Sequence, residues 1–269
     1  MERTAAVARA APPTPLPDAP EPPGNRTADL LDGMPRQRGP AHSGPPAAVP
    51  APARTLPAPR PWRLLPTPTG TPFTFAYAAL LAVTSLLASF ADPSLVRALQ
   101  QGSSTDVAHL AGAPGAVLVA SALWIAGGAV SPYVLGFLLV LTALERRVGA
   151  LHAAGVFLLG HVLATLATEV PVGLAVLAGQ LPVTSLHRLD YGISFGVAAV
   201  TGALAGLVAR RLRWILLALF GAMVAGDLIE FADPMTDWGH LIALAVGIAT
   251  WPLARRRDRS AAPAAVRTG

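Results

Sequence analysis

The chain has 269 residues, 53% of them hydrophobic and only 13% charged. That balance excludes an ordinary soluble domain, and the absence of cysteine excludes disulfides, thiol catalysis and cysteine-ligated metals. All 20 basic residues are arginine, the formal net charge is +5, and the arginines cluster at the ends of apolar runs, which points to membrane orientation rather than nucleic acid.

In chain order, residues 1–66 are rich in Pro, Ala and Arg and lack helical periodicity. Such a segment cannot bury enough apolar surface to offset its ordering entropy, so a disordered tail is predicted. It has no apolar h-region, so a cleaved signal peptide is not expected. Long apolar runs follow, and in hydrocarbon these must be helices. The first span is predicted over Phe73–Ala91, stopping at Asp92-Pro93. A long connection, 92–115, carries Arg97, Asp106 and His109. The run Ala116–Leu144 exceeds the roughly 20 residues one span needs, and Gly127-Gly128 and Pro132 interrupt it. Ala116–Ala126 therefore reads as a re-entrant piece and Ala129–Leu144 as the second span. The third span is Ala150–Thr168, followed by a loop, 169–189, whose apolar patch Val170–Ala178 lies in the interface. Spans four, five and six are Tyr191–Ala209, Leu212–Ile229 and Trp238–Ala254.

Charge bias supports this reading. With the amino terminus inside, the inner segments hold Arg54, Arg60, Arg63, Arg146, Arg147, Arg210, Arg211, Arg213, Arg255, Arg256, Arg257 and Arg259, whereas the outer loops hold only Arg97 and Arg188. The expected architecture is an all-α, multi-pass membrane protein: a cytoplasmic tail over 1–66, a six-helix membrane domain over 67–255 and a basic cytoplasmic tail over 256–269. Both termini are expected on the cytoplasmic side of a plasma membrane. The lack of lysine with abundant Ala, Pro, Gly and Arg suggests a GC-rich bacterial genome.

Spans four and six then run in the same direction. Ser194, in Gly192-Ile193-Ser194, and His240, in Gly239-His240, fall at matched depth near the outer leaflet. Ser194, Ala198, Gly202 and Gly206 share one helical face, as do His240, Ala243 and Gly247, and such small-residue stripes let helices approach closely in lipid. A serine needs a base to become a nucleophile, and an imidazole in a membrane span is seldom accidental. His161 and Thr165 lie one turn apart on span three, as an interhelical clamp or an oxyanion donor. Asp190 is placed to cap span four. Glu145 is expected to satisfy loop backbone at the inner interface. Asp227, Glu230, Asp233 and Asp237 read as a solvated acidic surface, and no metal site or cofactor is predicted.

These residues resemble the rhomboid family of intramembrane serine proteases. Gly192-Ile193-Ser194 matches the first three positions of the family's Gly-x-Ser-Gly motif, with Phe195 in place of the last glycine. Leu144-Glu145-Arg146-Arg147-Val148-Gly149 is similar to its Leu-Glu-x-x-x-Gly signature. Gly239-His240 through Gly247 is similar to its His-x-x-Gly-x-x-x-Gly segment, with Ala243 at the first glycine. The positions of the family's second-helix His and Asn fall at about Ala129 and Tyr133. The resemblance covers roughly residues 73–255. It implies a six-helix core, catalysis without a cofactor by a Ser194–His240 dyad, and an oxyanion site drawn from the backbone around Gly192 and Ser194, with His161 and Asp190 in support. The implied substrates are transmembrane segments of other proteins. The alternative it implies is an inactive relative that binds or escorts membrane helices.

Overall fold

The computed structural model describes residues 64–128, 131–231 and 233–261. The tail expected to be disordered lies almost wholly outside them, as do Ala129 and residues 262–269. Among the described residues the chain is all helix, without strands. Helix α1 spans Pro72–Phe90 and starts on a proline, whose missing N–H costs nothing at that position. Its free N–H groups are met by Glu145. Phe73 N–H donates to Oε1 at 2.9 Å, and Thr74 donates to Oε2 through N–H at 2.7 Å and through its hydroxyl at 2.6 Å. Glu145 thus caps a distant helix rather than a loop.

The expected connection after α1 is helical. Helices α2 (Pro93–Gly102) and α3 (Val107–Gly112) are each capped by an aspartate, Asp92 accepting from Ser94 N–H at 2.7 Å and Asp106 from His109 N–H at 3.0 Å. The re-entrant piece is a two-turn helix, α4 (Pro114–Ser121). A single rod follows: α5 (Pro132–Gly136), a π-helical turn (Phe137–Leu141) and α6 (Thr142–Val148). It ends at Gly149, whose φ of 82° suits only glycine and turns the chain directly into α7.

Helix α7 corrects the third span. It runs unbroken over Ala150–Leu177, through Pro171, so the supposed interfacial patch is its last two turns. A proline removes one backbone bond, but neighbouring helices make this tolerable in a membrane helix. A 3-10 turn, Val183–His187, leads to α8, Ser194–Ala205. Helices α9 (Arg210–Glu230), α10 (Pro234–Ala249) and α11 (Trp251–Ala261) complete the chain. Part of the expected basic tail is therefore helical.

Helix α8 is the axis of the fold, with Phe195–Ala205 all buried. It is shorter than its predicted Tyr191–Ala209. Twelve residues reach about 18 Å, well under a hydrocarbon core of about 30 Å. It packs chiefly on α10 and α7 through small residues. A Cβ on Gly247 would collide with the Ala199 carbonyl, and one on Gly202 with the Leu244 carbonyl. The carbonyls at the end of α8 are closed by side chains. Trp251 Nε1 donates to Gly202 at 2.7 Å, Arg213 Nε to Ala205 at 2.7 Å, Arg255 Nε to Gly206 at 3.0 Å and Arg147 Nη1 to Leu207 at 2.9 Å.

Among the described residues three helices, α1, α7 and α9, are long and apolar enough to cross a bilayer. The count of six full-length spans reduces to these three. The remaining apolar segments are α8, the composite α5–α6 rod and α10, each too short to meet that standard alone.

Candidate active site

Gly192 sets the geometry at the start of α8. Its φ of 134° is one that side chains disfavour, and its N–H donates to the Ser121 carbonyl at 3.0 Å. The chain can thereby turn off the end of α4 and into α8 within two residues. Ile193 stands at the helix N-cap and offers no side-chain cap. The first-turn N–H groups of Ser194, Phe195 and Gly196 are therefore left without intrahelical partners. Ser194, the first residue of α8, lines a cavity of about 440 Å³.

His240 lines the same cavity from α10 and is 4% exposed. Its ring lies over Tyr133, with centroids 5.1 Å apart and planes at 21°, and meets the edge of Phe195 at 5.2 Å. Phe195 occupies the family's glycine position, and it fits because residue 239 has no side chain: a Cβ there would run into the Phe195 ring. Nδ1 of His240 lies 3.4 Å from the Tyr133 hydroxyl. Nε2 is buried and has no hydrogen-bond partner among the described residues, so Ser194 and His240 share the cavity without a hydrogen bond through Nε2.

The other expected site residues are placed differently. His161 does not line this cavity. Its Nε2 lies 3.0 Å from the Leu118 carbonyl and 3.1 Å from the Ser121 hydroxyl, so α7 grips the last turn of α4. A carbonyl only accepts, so Nε2 carries the proton and cannot take one from Ser121. Nδ1 of His161 and the hydroxyl of Thr165 are buried without partners among the described residues. Asp190 does not cap α8; it joins two loops. Thr105 N–H donates to its carbonyl at 2.7 Å, Thr105 Oγ1 donates to Oδ2 at 3.2 Å, and Ser104 Oγ accepts its N–H at 3.0 Å. Burial pushes the Asp190 carboxyl above its ordinary range, against the pull of Arg188 and Thr105.

Arg188, unmarked in the sequence except as an outer charge, organises the cavity rim. It donates to Glu169 on α7, to both oxygens of Asp233 at 3.0 Å and to Thr236 at 3.2 Å, and lies 3.8 Å from Asp190. Burial opposes its charge, but Glu169, Asp190 and Asp233 outweigh that and hold the guanidinium above its usual value. Asp233 is also the cap of α10, accepting from Thr236 N–H and hydroxyl. The acidic cluster is thus not simply solvated surface. Asp237 is 5% exposed, and Asp190, Asp227, Glu230, Asp233 and Asp237 all line the cavity with Ser194. Among the described residues no group of acidic or histidine side chains has the geometry to hold a metal ion.

Among the described residues, an all-helical bundle with several apolar helices of membrane-crossing length defines a polytopic membrane protein. A family model described as Rhomboid-like protein matches residues 69–260, and the chain belongs to that family. No curated protein and no solved structure gives a significant match.

Proposed function

We propose that this rhomboid-like protein is an intramembrane serine protease that cuts transmembrane segments of other proteins beside the outer leaflet. The observation that carries this reading is the buried, unpartnered Nε2 of His240 in the cavity that Ser194 lines. Leaving such an atom unpaired costs about 1–3 kcal/mol, and a waiting lone pair in a cavity that a serine also lines is a reason to bear that cost. The proton of the imidazole then sits on Nδ1, donating toward Tyr133, and Nε2 takes the Ser194 proton as Oγ attacks the scissile carbonyl. His240 returns that proton to the leaving amine, and water releases the acyl group by the same route. The free N–H groups of the first turn of α8 receive the oxyanion. Neither step calls for a cofactor. His161 acts indirectly, by holding α4 against Gly192.

The short helices complete the topology in this reading. The α5–α6 rod, α8 and α10 cross with α1, α7 and α9 as six passes of a plasma-membrane protein, with the arginine-rich ends and both termini cytoplasmic. A second reading, a non-catalytic relative that escorts membrane helices, is favoured by the ring of carboxylates, which opposes a developing oxyanion, and by Tyr133 at the family's asparagine position. Fluorophosphonate labelling of the purified chain separates the two. Labelling is expected in the unaltered protein and in Ser121→Ala, and is expected to be lost in Ser194→Ala and His240→Ala. Label that survives Ser194→Ala would falsify the dyad, and a chain that never labels belongs to the escort reading.

A further inference from the structure

We propose that the Ser194 cavity selects membrane segments carrying an arginine or lysine at their outer end, whose side chain Asp227, Glu230 and Asp237 receive. This rests on the protease reading and names its substrate class. Asp227 and Glu230 stand in the last turn of α9 and Asp237 in the first turn of α10, and all three line the cavity with Ser194 and His240. The cavity does not balance their charge from within. Arg188, at the rim, is already engaged by Glu169 and Asp233 and lies near Asp190. Asp227, Glu230 and Asp237 have no basic partner at ion-pair distance among the described residues. An acidic cluster alone is commonly a solvated rim, but Asp237 points to a guest. It is 5% exposed, and its Oδ2 is buried with no hydrogen-bond partner among the described residues. It also feels the like charges of Asp227 and Asp233. A buried carboxylate in that position calls for a partner of opposite charge.

The partner is a cationic side chain rather than a metal ion, because no group among the described residues has metal-holding geometry. It belongs to the substrate because of where the carboxylates stand. Asp237 precedes His240 by one turn on the same face of α10, about 4.5 Å along the axis, so a cation held there lies close to the base that serves Ser194. Glu230 is flanked by Ile229 and Phe231, 84% and 72% exposed, and such apolar neighbours suit a guest whose body is a membrane helix. The guest's positive charge offsets the field of carboxylates that opposes the oxyanion, so one contact serves binding and turnover alike. Outer ends of membrane segments carry few basic residues, which makes the requirement selective.

The test uses the full-length protein in neutral detergent and one synthetic apolar helix. Arginine, its neutral isostere citrulline, or glutamate is walked position by position through the outer turn of that helix. Binding is read by fluorescence anisotropy on Ser194→Ala, and cleavage by mass spectrometry on the unaltered chain. At the preferred position the arginine peptide is expected to bind roughly tenfold tighter than the citrulline peptide and to be cut about tenfold faster at saturation. Asp237→Asn is expected to bring the two peptides within about twofold of each other. Asp227→Asn/Glu230→Gln is expected to do the same, and it alters only a half-buried and an exposed side chain, so it spares the fold even where Asp237→Asn does not. Glu230→Lys is expected to turn the preference toward glutamate. Equal binding of arginine and citrulline peptides at every position, a preference unchanged in Asp227→Asn/Glu230→Gln, or one that needs added calcium or magnesium would each overturn the proposal. Arginine preference in binding without any cleavage would leave this site standing and remove the protease reading.

Discussion

The two ends of α8 are opposites. At Ser194 the helix opens uncapped into a cavity ringed by five carboxylates, and its N–H groups go unmet. At Ala205 four side chains close on the last carbonyls, three of them arginines. The helix is too short to span a hydrocarbon core of about 30 Å by itself, so each end must be satisfied by protein or left available. The contrast teaches that the fold spends its side-chain donors on one end of α8 and leaves the first-turn N–H groups of the other uncapped. A helix dipole directed the same way, positive at Ser194 and negative at the arginines, suits both arrangements.

The comparison breaks first where both ends depend on one contact. Gly247→Leu would drive a side chain into the Ala199 carbonyl and push α8 off α10. A loss upwards of about 5 kcal/mol is expected, seen as failure to recover folded protein from detergent. Arg188→Ala attacks the open end alone. It strands Glu169, whose side chain is 1% exposed, and about 3 kcal/mol of stability is expected to go. Thermal unfolding of the variant beside Glu169→Gln/Arg188→Ala, which removes the stranded charge and should recover part of the loss, measures it. Trp251→Ala opens the closed end, giving up the Gly202 bond and the platform for two guanidiniums. A cost of about 2 kcal/mol is expected for this half-buried ring. The order of Arg188→Ala and Trp251→Ala in one denaturant series would show whether the acidic rim or the basic seal holds α8 more firmly.

Much of this was readable beforehand, for identifiable reasons. Intramembrane polar groups are costly, so Ser194 and His240 stood out, and the structure puts both on one cavity. The Leu144-to-Gly149 signature marked a real corner, since Gly149 needs its positive φ. The rest was hidden by features that hydropathy does not carry. Ending the third span at Thr168 put Glu169 in a loop and concealed its pairing with Arg188. The apolar flanks of α8 extended its apparent span, whereas the φ at Gly192 sets its start. The capped helices α2 and α3 were too short for periodicity to mark. Tyr133 looked like a loss against the family pattern, yet its ring is what His240 rests on.

The π-helical turn at Phe137–Leu141 acts as a phase adjuster in the rod that contains it. On its far side Glu145 is clamped to α1, and on its near side Tyr133 lies flat on His240. One residue of helix corresponds to about 100° of rotation. The wide turn is what allows a single rod to satisfy both anchors, and without it one of them would face the wrong way.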